Sequence, residues 1–289
     1  MPTVKEYNVK LARLRSTRKM TKTMKMVSAN KLRKAQEARR NVDLYQHQLD
    51  AIIAHVTAGV DADAHAFLRK RGPVRRALVL LFTSDKGLCG GFNNNVNKSV
   101  LRWMSAEGST LERLEMSFCG RRGFQFFQSR TNVRQHYEGV THRPRYADAC
   151  RIGHEIQGAF LHGRFDAVYL AYNVAVSALT QRPVIERLLP IAHDSLPSPA
   201  AGIAEDWILE PGRDALLQTL LPRLVNRHIY VALLHNAIGE HGARMTAMDN
   251  ATNNAASLID SITLLRNRAR QSAITTELTE IVGGAEALK

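Results

Sequence analysis

Three periods succeed one another along the chain. Residues 4–58 contain no glycine and no proline, and Val4, Tyr7, Leu11 and Leu14 recur at the three- and four-residue steps of an amphipathic helix. Lys, Arg, Met, Ala, Leu and Gln, all good helix formers, fill the intervening positions. Such a helix is ~80 Å long, well beyond an ordinary globular one. In the same frame the heptad then reads Arg18, Thr21, Lys25 and Ser28, which are polar. Met20, Met24 and Val27 resume an apolar stripe in a shifted frame. The pattern predicts a stutter, with local unwinding or a change of partner.

Gly59, Gly72 and Pro73 mark residues 59–76 as a connection, after which the period changes. Ala77–Phe82 is a short, wholly apolar run closed by Ser84-Asp85-Lys86-Gly87, the pattern of a buried parallel strand and its turn. A helix over 93–106 follows, with Val96, Val100, Leu101 and Met104 inward. Further strands are expected at 114–119, 132–137, 165–172 and 180–189. Pro183 makes the last of these an edge strand. Helices are expected at 121–129 and 147–161. Strand–helix alternation implies a doubly wound, Rossmann-like α/β sheet. Residues 191–207 read as a Pro- and Ala-rich loop.

From Glu210 the helical period returns, started by Pro211 and Gly212 and expected to split or kink at Pro222. Met248, Ala251, Ala255, Leu258, Ile262, Leu265, Ala269, Ser272 and Thr276 keep alternating steps of three and four, which is a coiled-coil seam. The seam shrinks and turns polar toward its end. Gly239 and Gly242 each cost roughly 1 kcal/mol relative to Ala inside a helix, so a flexible joint is expected there.

The fold class is therefore α/β: a long antiparallel coiled coil of N- and C-terminal helices plus a central doubly wound domain. Its expected parts are residues 1–58, 75–205 and 210–289. The C-terminal helix, ~100 Å long, exceeds the first and should project beyond it.

Composition adds direction. The net charge is +14, and residues 1–40 hold 13 Lys and Arg against Glu6 and Glu37. An acidic partner is expected, mainly along the first helix. A nucleic acid, a solvated face and an acidic protein ring remain open readings of that stretch. Cys89, Cys119 and Cys150 form no zinc or redox pattern and suit a reducing compartment. No apolar stretch approaches the ~18 residues that span a bilayer, and the N-terminus lacks a secretory pattern.

Chemistry is sparse. Ser84–Asn93 sits where a phosphate loop would, after a strand and before a helix, but matches neither G-x-G-x-x-G nor a Walker loop. Its glycines suit a structural turn equally well. Cys89 has no His–Asp partner at a usable spacing. Cys119 reads as a core or near-surface thiol. His235 and His241, six apart, lie on different helix faces, a poor metal geometry.

Four blocks carry a resemblance. Thr21-Lys-Thr-Met24-Lys-Met26-Val-Ser-Ala-Asn-Lys31-Leu-Arg-Lys-Ala35-Gln resembles the N-terminal signature of the F-type ATP synthase gamma subunit family. Thr83–Asn93 is similar to that family's central-domain loop, which includes Lys86 and Cys89. Arg244–Ala255 and Asn267–Ala285 resemble its C-terminal signatures. The blocks fall in the family's order over nearly the whole chain.

The resemblance implies a non-catalytic rotor. An antiparallel coiled coil enters a hexamer of alternating alpha and beta subunits, and the α/β domain forms a foot on the epsilon subunit and the membrane c-ring. It implies no cofactor, since the nucleotide sites lie on the neighbours. It implies a peripheral place at the cytoplasmic face of a bacterial inner membrane. Lys22, Lys25, Lys31, Arg33 and Lys34 would face an acidic loop of the beta subunits, with Met20, Met24 and Val27 on the C-terminal helix. Met24 would meet Arg244 and Met248. Arg268, Arg270 and Gln271 would contact the beta subunits higher in the head. Lys25 stands where the family usually has an acidic residue. No cysteine-bearing insertion is visible, against the light-regulated chloroplast type.

Overall fold

The computed structural model describes residues 3–57, 65–69, 72–177, 180–192 and 209–286. Residues 59–64 and 70–71 of the expected connection at 59–76, and residues 193–207 of the expected loop at 191–207, lie outside the described residues. Two compact units divide the chain: Met1–Ala29 with Arg244–Lys289, and Asn30–Ala243. Two helices, α1 (Val4–Thr57) and α5 (Arg213–Glu286), contribute to both units.

In the larger unit, β1 (Arg76–Phe82) is the central strand, as its unbroken apolar run demands. The sheet order is β3-β2-β1-β4-β5, with β2 (Arg113–Cys119), β3 (Asn132–Tyr137) and β4 (Ala167–Ala175) parallel to it. β5 (Gln181–Leu189) pairs antiparallel with β4 at the edge, and Pro183 sits opposite Asn173. The edge is where a residue without an N–H does least harm.

Alternation along β1 sends side chains to two cores. Ala77, Val79 and Leu81 meet Val96 and Val100 of α2 (Phe92–Ala106) and Phe127 of α3 (Arg121–Phe127). Leu78, Leu80 and Phe82 share the second core with Ile152 and Ile156 of α4 (Tyr146–Leu161). That core also takes Leu49 and Ile53 from α1 and Leu217, Leu221 and Leu224 from α5. Helices cover both faces, so the sheet is doubly wound.

Two expectations for α5 are corrected here. Pro222 does not split it: the helix runs unbroken through the proline. The Pro222 carbonyl accepts from Gln157 Nε2 of α4 at 3.1 Å, and neighbouring turns are buried on both sides. Packing thus offsets the lost backbone bond. Gly239 is no loose joint either. A Cβ there would lie 2.8 Å from Phe92 Cε2 at the start of α2, so glycine permits close approach to the sheet unit.

In the smaller unit, α1 and α5 pair antiparallel. Leu11 packs with Ile259 and Ile262, Thr252 Oγ1 donates to Thr21 Oγ1 at 2.7 Å, and Lys25 Nζ donates to Asp249 Oδ1 at 2.6 Å. Partner numbers fall along α5 as they rise along α1, which fixes the direction. Beyond Arg270 every described residue of α5 is exposed. There Thr275, Thr276 and Thr279 turn their hydroxyls back onto carbonyls four residues earlier.

The seam corrects two details of the heptad reading. In α1 there is no stutter. Leu11, Thr21, Ser28 and Leu32 are buried in the original frame, while Met20 and Val27 are 62% and 50% exposed. Small hydroxyl side chains bond locally or across the seam and can be buried without penalty. Met20 and Val27 therefore do not pack on α5 as expected. In α5, Met248, Ala255, Ile259 and Ile262 are buried, whereas Leu258 and Leu265 are exposed. Thr252 and Ile259 take the alternate positions assigned to Ala251 and Leu258.

Candidate functional site

Ser84–Asn93 joins β1 to α2 and is the one place where the fold could cradle a phosphate. Several of its hydrogen-bonding groups are engaged within the loop. Ser84 N–H donates to Asn93 Oδ1 at 2.9 Å, and Ser84 Oγ donates to the Lys86 carbonyl at 2.6 Å. Asn93 Nδ2 donates to Cys89 Sγ at 3.2 Å. The amide that would meet an anion meets a side-chain carbonyl of the first helical turn instead. Leu88 adopts φ 63°, a left-handed conformation that costs a branched residue energy and directs its side chain into solvent.

The loops after β1, β2 and β3 are also tied together. Asp85 accepts from Arg121 N–H at 3.1 Å and from Thr141 Oγ1 at 2.9 Å. Gly120 adopts φ 106°, and a Cβ there would lie 2.2 Å from the Thr83 carbonyl oxygen, so no other residue fits. Thr83 Oγ1 accepts from Gly123 N–H at 2.9 Å. From α5, Asn236 Nδ2 donates to Thr83 O at 3.1 Å, and from β4 Asn173 Nδ2 donates to Phe92 O at 3.1 Å. Side chains from α5, β4 and the neighbouring loops thus converge on the crevice at the end of the sheet. Cys89 is buried in the loop, and Lys86 is exposed at its tip. Cys119 ends β2 in the core, where burial pushes its thiol well above the usual range. Asn93, Asn173 and Asn236 carried no sequence signal, since a buried asparagine is recognised only once its partners are in place.

The other candidates fall on the two helices. Lys22 and Lys34 are exposed, and Arg33 lies 3.8 Å from Glu37 on the same exposed face. Lys31 Nζ lies 3.3 Å from His142 Nε2 of the β3–α4 loop. Lys25 is engaged within the seam by Asp249, so its charge is shared between the helices. An ion pair of this openness contributes about 0.5 kcal/mol. Met24 is half-buried, while Arg244 and Met248 are buried at 8% and 5% exposure. Arg268, Arg270 and Gln271 are exposed on the last part of α5.

His235 packs against the core of the larger unit. His235 stacks obliquely near Tyr172, with ring centroids 6.1 Å apart. Burial, with the Arg39 guanidinium nearby, lowers its pKa to about 4. No group of three or more His, Cys, Asp or Glu among the described residues could hold a metal ion. Nor is any helix among them long and apolar enough to cross a membrane.

Known proteins agree on one relationship. The ATP-synt family model, described as ATP synthase, matches residues 3–288. A protein named ATP synthase gamma chain from Anaeromyxobacter dehalogenans is 43% identical over the full length of both chains. One of the same name from a Geobacter species is 39% identical, again over the full length of both. Among solved structures, a chain of the Euglena gracilis mitochondrial ATP synthase is similar at a TM-score of 0.64 and 20% identity, covering 99% of this chain and 94% of that one.

Proposed function

The chain belongs to the family of ATP synthase gamma chains and is a non-catalytic central-stalk subunit, and from that premise we propose how its surfaces carry torque. Alpha and beta subunits surround the paired helices, and the α/β unit stands on the epsilon subunit and the c-ring. Within the complex the chain is peripheral, on the cytoplasmic face of a bacterial inner membrane. Ion flow turns the ring, and the asymmetric stalk drives the beta subunits through states of different nucleotide affinity. That is a coupling free energy delivered by rigid-body motion. The same coupling lets the stalk regulate ATP hydrolysis and proton flow.

The observation that carries this reading is the division of charge on α1. Lys22 and Lys34 point outward and unpaired among the described residues, whereas Lys25 is held by Asp249. Outward cations attract an acidic loop over a distance of about 10 Å without locking one angle. Lys25 and Asp249 instead hold the two helices to each other. Met24 lies beside the pair, half-buried.

A Met24→Lys substitution adds a third charge next to that pair and tethers the stalk. In the assembled complex, protons pumped per ATP hydrolysed should fall while hydrolysis continues. Normal pumping in that variant would sink the contact.

A further inference from the structure

Three cavities of the larger unit adjoin one another. One of about 470 Å³ lies between Lys31, Lys34 and Ala38 of α1, the His142–Pro144 loop, and Leu234 and Ala237 of α5. A second, about 400 Å³, continues from Ala38 to Leu49 and is walled by Tyr146, Arg223 and Tyr230. A third, about 350 Å³, opens beside the first at Arg143 and runs to Arg145 and Arg151. Along α1, from Lys31 to Leu49, this groove is ~27 Å long, which is five turns of a helix.

Its two surfaces differ in chemistry. The floor is aliphatic: Ala35, Ala38, Val42, Leu49, Leu234 and Ala237. The rim is cationic, and Lys34, Arg143 and Arg223 make no ion pair among the described residues. The rim's acids are Asp148, bound by Arg145 at 2.9 Å, and Glu138, which lies 3.7 Å from His136. The unpaired charge on the rim is therefore all positive. Tyr146 and Tyr230 meet edge to face at 5.6 Å on the wall of the second cavity.

We propose that this groove receives an acidic amphipathic helix of a partner protein, about five turns long, its apolar stripe on the alanine and leucine floor and its carboxylates on Lys34, Arg143 and Arg223. Small floor residues let a helix backbone come close, and matched charge sets its direction. A nucleic acid would find no row of stacking rings on an aliphatic floor. A membrane would find a concave surface rather than a flat one. The proposal shares Lys34 with the torque reading, but Arg143 and Arg223 belong to the groove alone and carry its test.

The test uses the full chain and two labelled synthetic helices of eighteen residues, one of leucine with glutamate and one of leucine with lysine, followed by fluorescence anisotropy. The acidic helix should bind, and the Arg143→Glu, Arg223→Glu double variant should weaken it at least tenfold. Ala38→Trp, which fills the floor, should do the same, with circular dichroism confirming that each variant keeps its helices. Equal binding of the basic helix overturns the proposal, as does unchanged affinity in a folded double variant. Failure of the acidic helix alongside binding to phosphatidylglycerol vesicles would assign the groove to a membrane surface.

Discussion

The sheet unit and the two-helix unit are held together by different physics. In the first, β1 is buried from Ala77 to Phe82 between two cores, and buried asparagines pin the loops. In the second, the seam is one side chain wide, and between Leu11 and Leu32 its buried α1 positions are Thr21 and Ser28. The sheet unit concentrates stability in irreplaceable contacts. The helix pair spreads it over small, individually weak ones.

That contrast can be broken most severely at Gly120. Gly120→Val puts a Cβ on the Thr83 carbonyl in a left-handed backbone, and the sheet unit should lose about 4 kcal/mol or fail to fold. Urea denaturation followed by fluorescence checks it, and a loss below 1 kcal/mol would mean the loops are not pinned there. The next largest effect belongs to the seam. Ile259→Ala should cost about 2 kcal/mol and Leu258→Ala under about 0.5 kcal/mol, because one faces α1 and the other solvent. Equal costs in thermal melts would restore the heptad frame read from sequence.

A pH titration separates the units. Burial keeps His235 neutral with a pKa near 4, below its ordinary value, so the unfolded chain takes up the proton first as pH falls. The sheet unit should therefore lose stability from about pH 6.5 down to about pH 4, by roughly 1.5 kcal/mol since the ring is only half-buried. His235→Gln should flatten that slope, and an unchanged slope would place its origin elsewhere. The smallest effect is at Lys25. Lys25→Glu should cost about 1 kcal/mol by placing two carboxylates together, and Lys25→Glu with Asp249→Lys should restore it. A double-mutant cycle with no coupling would show that the pair adds nothing.

How much of this was legible depended on whether one residue's character or a pair's geometry decided the outcome. Ala77–Phe82 declared a buried strand because six successive apolar side chains end in the turn signal Ser84-Asp85-Lys86-Gly87. Pro183 declared an edge for a similar reason. The seam was misread where polarity was taken for exposure. Thr21 satisfies its hydroxyl within the helix pair and Ser28 is buried beside it, so the frame that looked broken continues. Leu258 and Ile259 are equally apolar, and only the partner helix chooses between them. Asn236 and Asn173, the clamps on the glycine loop, lie far from it in sequence and cannot be assigned before the fold brings them together. The outward cations of α1 were legible from composition. That Lys25 would turn inward to Asp249 was not, since the two lie on different helices.

The last exposed stretch of α5 bears on friction. Thr275, Thr276 and Thr279 each donate the hydroxyl proton to a carbonyl of their own helix, and Ile274, Leu278, Ile281 and Val282 stand out beside them. A wall enclosing this length would slide over methyl groups, with few directional bonds to make and break at each angle. Dispersion contacts change by only about 0.1–0.2 kcal/mol per atom pair as surfaces slip past one another. With three threonine protons turned inward, the stretch offers an enclosing surface fewer donors to bind and release through a full turn.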